Sequence, residues 1–174
     1  MYSSSQRKAL LALARKAIEA RLKREELELP GEFTEKRGVF VTLKRDSHLR
    51  GCIGNPYPNK SLEEAIAQAA PAAALNDPRF EPLSLGELSV IKIEISILSV
   101  PEEAKPEDIK VGKHGLMCTF EGHSGLLLPQ VATEQGLSKQ AFLEALCEKA
   151  FLPRDCWQEA GFKLEKFEAE IFSE

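Results

Sequence analysis

The chain has no apolar run near the ~18 residues that a membrane-spanning helix requires. Its opening, MYSSSQRKALLALARKA, is amphipathic and charged throughout, unlike a secretory signal. The four cysteines, Cys52, Cys118, Cys147 and Cys156, include no CxxC pair, so zinc-finger and thioredoxin-like spacings are absent. His48, His114 and His123 lack close ligand-type partners. The one exception, His48 with Cys52, would be separated by about 13 Å along an extended strand, so no metal site is expected. There is no P-loop, no Rossmann glycine fingerprint and no GxSxG elbow, and no cofactor is identified. A cytoplasmic protein with reduced thiols is the expectation that remains.

With 174 residues, 43% of them hydrophobic, the chain suits one domain, or one domain with a small lobe. A net charge of −4 argues against non-specific nucleic-acid binding, which needs clustered cations. The one basic run, Arg7 to Arg24, reads as the solvated face of a first helix over 5–26, with Leu10, Leu13, Ala14, Ala17, Ile18 and Leu22 on the apolar face. Pro30-Gly31 ends that segment. Val39, Val41 and Leu43 then alternate with Phe40, Thr42 and Lys44, the polar KRDSH turns the chain, and 48–54 returns as a second strand.

SLEE, 61–64, is a capping box opening an alanine-rich helix that can lie close against a sheet. Pro71 inside it predicts a kink or a split. VIKIEISIL is the clearest strand, with Ile91, Ile93, Ile95 and Ile97 on one side. HGLMCTFEGHSGLLLP reads as a second hairpin, and Ser138 caps a helix over 138–150. In the tail, Phe162/Leu164 and Phe167/Ala169/Ile171 are out of phase, which a bulge near Lys166 would reconcile. Hairpins mixed with helices, without βαβ regularity, predict an α+β fold: a mainly antiparallel sheet flanked by helices.

Chemistry concentrates in HLRGCIGN, 48–55. Strand alternation puts Leu49, Gly51 and Ile53 on a core side and His48, Arg50 and Cys52 on the other, with residues two apart separated by roughly 7 Å. A guanidinium at that range can favour the Cys52 thiolate. Gly51 and Gly54 allow close approach of a ligand or another backbone. No general base is placed beside Cys52 by spacing. Cys52 is therefore a nucleophile, a ligand-contacting thiol or a half-buried small residue, and Cys118 and Cys147 read as core cysteines.

The second concentration is NDPRF, 76–80. Asp77 before a proline closes a turn, Phe80 anchors it in the core, and Arg79 either pairs with Asp77 or Glu94 or joins Arg50 in an anion pocket. Glu94, on the polar side of its strand, is inert or balances those arginines. Gln130 sits at a helix start and can line a cleft.

LRGCIG at 49–54, NDPRFEPLS at 76–84, IEISIL at 93–98 and HGLMCTFEGHSGLLLPQVATEQG at 114–136, in that order, resemble the AMMECR domain family. FLEALCEKA and Trp157 agree, and the likeness runs from about residue 5 to the end. One departure is Phe151, where the family usually carries glycine in a KAGL-like segment. The resemblance implies a single domain of a larger and a smaller lobe, with a cleft near the LRGCIG strand. It implies no settled reaction. It implies an association with MEMO-like proteins, which resemble extradiol dioxygenases, and with radical SAM proteins, hence a shared modification pathway. The family's motif positions fall here on Arg50, Gly51, Cys52, Gly54, Asp77, Arg79, Glu94 and Gln130. Two roles follow: a binding or adaptor module, or an enzyme using Cys52 on a small anionic substrate.

Overall fold

A computed structural model describes residues 1–174 as two compact units, Met1–Leu98 with Glu170–Glu174, and Ser99–Ala169. No helix is long and apolar enough to cross a membrane. The chain is α+β with antiparallel strands, as the hairpin pattern predicts.

In the first unit, helix α1 (Ser4–Lys23) starts at a capping box. The Gln6 amide donates to Ser3 Oγ at 3.3 Å, and the Ser3 amide donates to Gln6 Oε1 at 2.9 Å. It ends before residue 26 because Arg24 turns left-handed, at φ 60°. Strands β1 (Gly38–Arg45) and β2 (His48–Asn55) form a hairpin. Its turn residues, Asp46 and Ser47, both have positive φ, the geometry that suits the right-handed twist of paired strands. Strand β3 (Ile91–Leu98) pairs with the other side of β1, giving the order β2-β1-β3. Ile91, Ile93, Ile95 and Ile97 are buried with Val39, Val41 and Leu43, and α1 contributes Leu10, Ala14 and Ile18 to the same core.

Helix α2 (Leu62–Leu75) starts at the predicted SLEE box, Ser61 with Glu64. It runs as one continuous helix through Pro71, so the expected split does not occur. Pro71 removes one amide donor, but the helix lies on the sheet through Ala69, Ala70, Ala73 and Ala74, and that packing holds it together.

In the second unit, β5 (His114–Phe120) and β6 (His123–Leu127) form the second hairpin, turned at Glu121-Gly122, after the short strand β4 (Glu102–Glu103). Strand β7 (Lys163–Ser173) pairs with β4 on one side and β5 on the other. Helix α3 (Pro129–Glu134) is short, and α4 (Lys139–Lys149) is capped by Ser138. Leu116, Cys118, Leu127, Phe142, Leu143, Leu146 and Leu164 form the core.

Two tail expectations are corrected here. The register of β7 against β5 is continuous from Lys163 to Glu168, so there is no bulge near Lys166. With the register unbroken, Leu164 and Phe167 lie on opposite faces of β7 and both are buried, while Ile171 is 37% exposed, so the phase change reflects burial on both faces of the strand. Cys147 and Cys156, taken as reduced, are joined as a disulfide across Cα atoms 6.2 Å apart, leaving Cys52 and Cys118 free. Nine residues of separation gave no sequence signal for the pair. Alkylating the unfolded but unreduced chain is expected to label Cys52 and Cys118 only; labelling of all four would remove the bridge.

Helix α4 ends with Phe151 donating to Glu148 O and Leu152 donating to Cys147 O, each at 3.0 Å. This turn survives the departure from glycine, but it holds Phe151 at φ 59° with the ring 91% exposed. Left-handed backbone costs a non-glycine residue about 1–2 kcal/mol. Phe151→Gly is therefore expected to stabilise the chain by about 1 kcal/mol, raising the melting temperature by about 2–4 °C. A lower melting temperature would show that the ring has a role in the fold.

Candidate functional site

The motif strand β2 is an edge strand, and its outer face is defined by register. Cys52 is opposite Thr42 on β1, and Thr42 is opposite Glu94 on β3. The three side chains form one row across the sheet, on the face away from Val41 and Ile95. Thr42 Oγ1 donates to Cys52 Sγ at 3.3 Å. Lys44 Nζ donates to Glu94 Oε2 at 2.8 Å. Cys52 is half-buried, so the sulfur is neither sealed in hydrocarbon nor fully open. At the hairpin end a polar cavity of about 410 Å³ is lined by Lys44, Asp46, Ser47, Val90 and Lys92.

Arg50 departs from the expected alternation. Leu43 is opposite Gly51 and Lys44 is opposite Leu49, which leaves Arg50 as the extra residue of a bulge. The slip carries Leu49 to the face of Lys44, where it is 42% exposed rather than in the core. The Arg50 guanidinium is turned onto Glu87 and not onto the sulfur: Nε donates to Oε1 at 3.2 Å and Nη2 to Oε2 at 3.3 Å. Its Nη1 is buried without a hydrogen-bond partner. Glu87 lies in the 3₁₀ turn Leu85–Ser89, where it also accepts from the Ser84 amide at 3.1 Å and from Arg45. That backbone bond first, and Arg50 second, hold its carboxyl below the usual range.

Asp77 ties the NDPRF turn to the motif strand. Its carboxylate is buried, with a side chain only 2% exposed. Oδ2 accepts from the Cys52 backbone amide at 2.9 Å and from Arg79 Nη2 at 2.7 Å, and Oδ1 accepts from the Arg79 backbone and Nε. The Arg79 side chain holds the Asp77 carboxyl far below the ordinary carboxylate range, helped by the Cys52 and Arg79 amides and opposed by burial. Arg79 is raised in turn, chiefly by the same hydrogen bonds. So Asp77, not Glu94, is the partner of Arg79, and Arg79 lies over the Phe80 ring at 5.4 Å. Phe80 is half-buried beside that guanidinium rather than anchored in the core.

The two glycines work by close approach. A Cβ on Gly51 would overlap the Ala73 carbonyl of α2, and one on Gly54 would overlap the Val39 carbonyl and Phe40. Cys52, Thr42, Glu94, Asp77 and Arg79 thus lie in one unit with both glycines. Arg50 and Arg79 do not share an anion: each is forked on its own carboxylate. His48 is occupied at the turn, with Nδ1 2.8 Å from Asp46 O. Gln130, the second residue of α3, lies in the other unit, with a buried Oε1 lacking a partner.

Sequence reasoning missed Thr42 and Glu87. Thr42 was visible on the polar side of β1, but its row depends on register. Glu87 carried a signal, since SLGE at 84–87 is itself a capping-box pattern.

The AMMECR1 family model matches residues 11–172. Protein TV1384 of Thermoplasma volcanium is 47% identical over 173 residues, covering 93% of this chain and 86% of that protein. Protein PF1979 of Pyrococcus furiosus is 46% identical over 181 residues, covering 95% and 86%. The crystal structure of the uncharacterized protein PH0010 from Pyrococcus horikoshii superposes with a TM-score of 0.90 at 45% identity, covering 95% of this chain and 89% of that one. The chain belongs to the AMMECR1 family.

Proposed function

We propose that the chain is a binding or adaptor component whose working surface is the outer face of β2-β1-β3, centred on Cys52. Arg50, Gly51, Gly54, Asp77, Arg79 and Glu94 shape that surface, and Gln130 is a separate ligand-contacting candidate within the second unit. The surface engages MEMO-like and radical SAM proteins in a modification pathway, or a small anionic ligand drawn from that pathway. One observation carries this reading: the cysteine sulfur accepts from Thr42, while the Arg50 guanidinium that could have activated it is forked on Glu87. Both arginines are neutralised within the fold, which suits a preformed polar surface better than a thiolate site. The buried, unpartnered Nη1 of Arg50 favours an oxygen-rich ligand at its end of the strand.

Co-expression with a MEMO-like protein and a radical SAM protein from the same organism tests the reading. A complex on size-exclusion chromatography that survives Cys52→Ala but is lost with Glu94→Arg is the expected result. No complex, or one indifferent to Glu94→Arg, would contradict it. The alternative, Cys52 as a nucleophile on a small anionic substrate, makes a separate demand: alkylation of Cys52 must reach its plateau rate by about pH 7. A rate still climbing above that pH would dispose of the nucleophile.

A further inference from the structure

On the opposite side of the motif strand from Cys52, the first unit contains a cavity of about 280 Å³. Val39 and Ile53, on the helix-packed face of the sheet, form one wall. Ala65, Ala69 and Ala72 of α2 form the other, at spacings of four and three that put them on one side of the helix. The alanines are why the space exists: a larger side chain at any of them would fill it. The mouth carries Arg37, Tyr57 and Lys60, and no acidic residue lines the cavity. Lys60 donates to the neutral Gln68 amide oxygen rather than to a carboxylate. Arg37 is half-buried, so its charge works in a partly desolvated setting.

We propose that this cavity is a binding site for a small organic carboxylate with an apolar body. The hydrocarbon would lie between Ile53 and the alanines, and the carboxylate would meet Arg37 and Lys60 at the mouth. Ligand pockets commonly span about 300–1,000 Å³, so the occupant is smaller than a drug-sized molecule. A bare phosphate would leave the apolar walls unused, and a neutral hydrocarbon would leave the cations unused. Apart from Gly54, which also lines the cavity, no residue of the proposed partner surface borders it, and the site does not depend on that reading.

Titrating the ¹⁵N-labelled chain with 4-phenylbutyrate, followed by amide chemical shifts, tests the proposal. Saturable shifts at Ile53, Asn55, Ala65 and Ala69 are expected. Arg37→Met and Lys60→Met, both at the mouth, are each expected to weaken binding about tenfold, as loss of a charge-assisted bond does. The uncharged 4-phenylbutyramide should bind at least about tenfold more weakly, Ala69→Leu should abolish binding by filling the cavity, and Cys52→Ala should leave it unchanged. The absence of saturable shifts at about 10 mM probe would overturn the proposal. So would equal binding of the amide, shifts confined to Thr42, Cys52 and Glu94, or inorganic phosphate producing the same shifts.

Discussion

Replacing Gly51 with alanine is expected to destabilise the chain by about 3 kcal/mol or more, lowering the melting temperature by at least about 6–12 °C. The added Cβ would occupy the position of the Ala73 carbonyl. That atom is backbone inside α2, so no rotamer change relieves the overlap and the helix must move off the strand. Asp77 follows that helix by two residues, so the displacement also withdraws the carboxylate from the Cys52 amide. Gly86→Ala is the matched control: nothing lies near a Cβ built there, and its effect should stay within about 0.5 kcal/mol. Equal melting temperatures for Gly51→Ala and the wild-type chain would mean that α2 does not sit this close to β2.

Asp77→Ala is the second large effect, at about 3 kcal/mol near neutral pH. It strips a half-buried edge-strand amide of its acceptor and removes charge-assisted bonds to Arg79, each worth about 1.5–3 kcal/mol before partial replacement by water. Arg79 is half exposed and can hydrate, so the stranded amide dominates. The sign of the pH dependence follows from the depressed carboxyl. A group whose folded pKa lies below its unfolded value stabilises fully above the unfolded value, about 3.9 for aspartate, and loses that contribution as pH falls toward the folded one. The gap in stability between wild type and Asp77→Ala should therefore be constant above about pH 5 and shrink below about pH 4. A gap that widens on acidification would contradict the assignment of Asp77 as an ionised clamp.

Local patterns carried most of the fold. Both hairpins, the SLEE helix start and the isoleucine strand were legible because each follows from a short-range rule of alternation or capping. Pro71 does not split α2, because propensity is local while the helix is held by an alanine face packed on a sheet. The tail misled because β7 buries side chains on both faces, Leu164 on one and Phe167 on the other, which a rule of one apolar face does not anticipate. The residue types of the site were legible too, but their partnerships were not. A single inserted residue at Arg50 resets the parity of β2 upstream of Gly51, and that slip is set by hairpin register rather than by composition. It moved Leu49 outward and handed Arg50 to Glu87, so the expected arginine–thiol pair does not form. The Asp77–Cys52 link joins residues 25 positions apart through a backbone amide, a contact that side-chain patterns cannot forecast.

Hydrogen–deuterium exchange on the chain, alone and saturated with a MEMO-like protein, is the most direct measurement of the central claim. The account predicts slowed exchange in the peptides carrying Thr42, Cys52 and Glu94, with the Ala65–Ala72 segment of α2 unaffected. Protection confined to α1 or α4, with the Cys52 strand exchanging as it does alone, would contradict it.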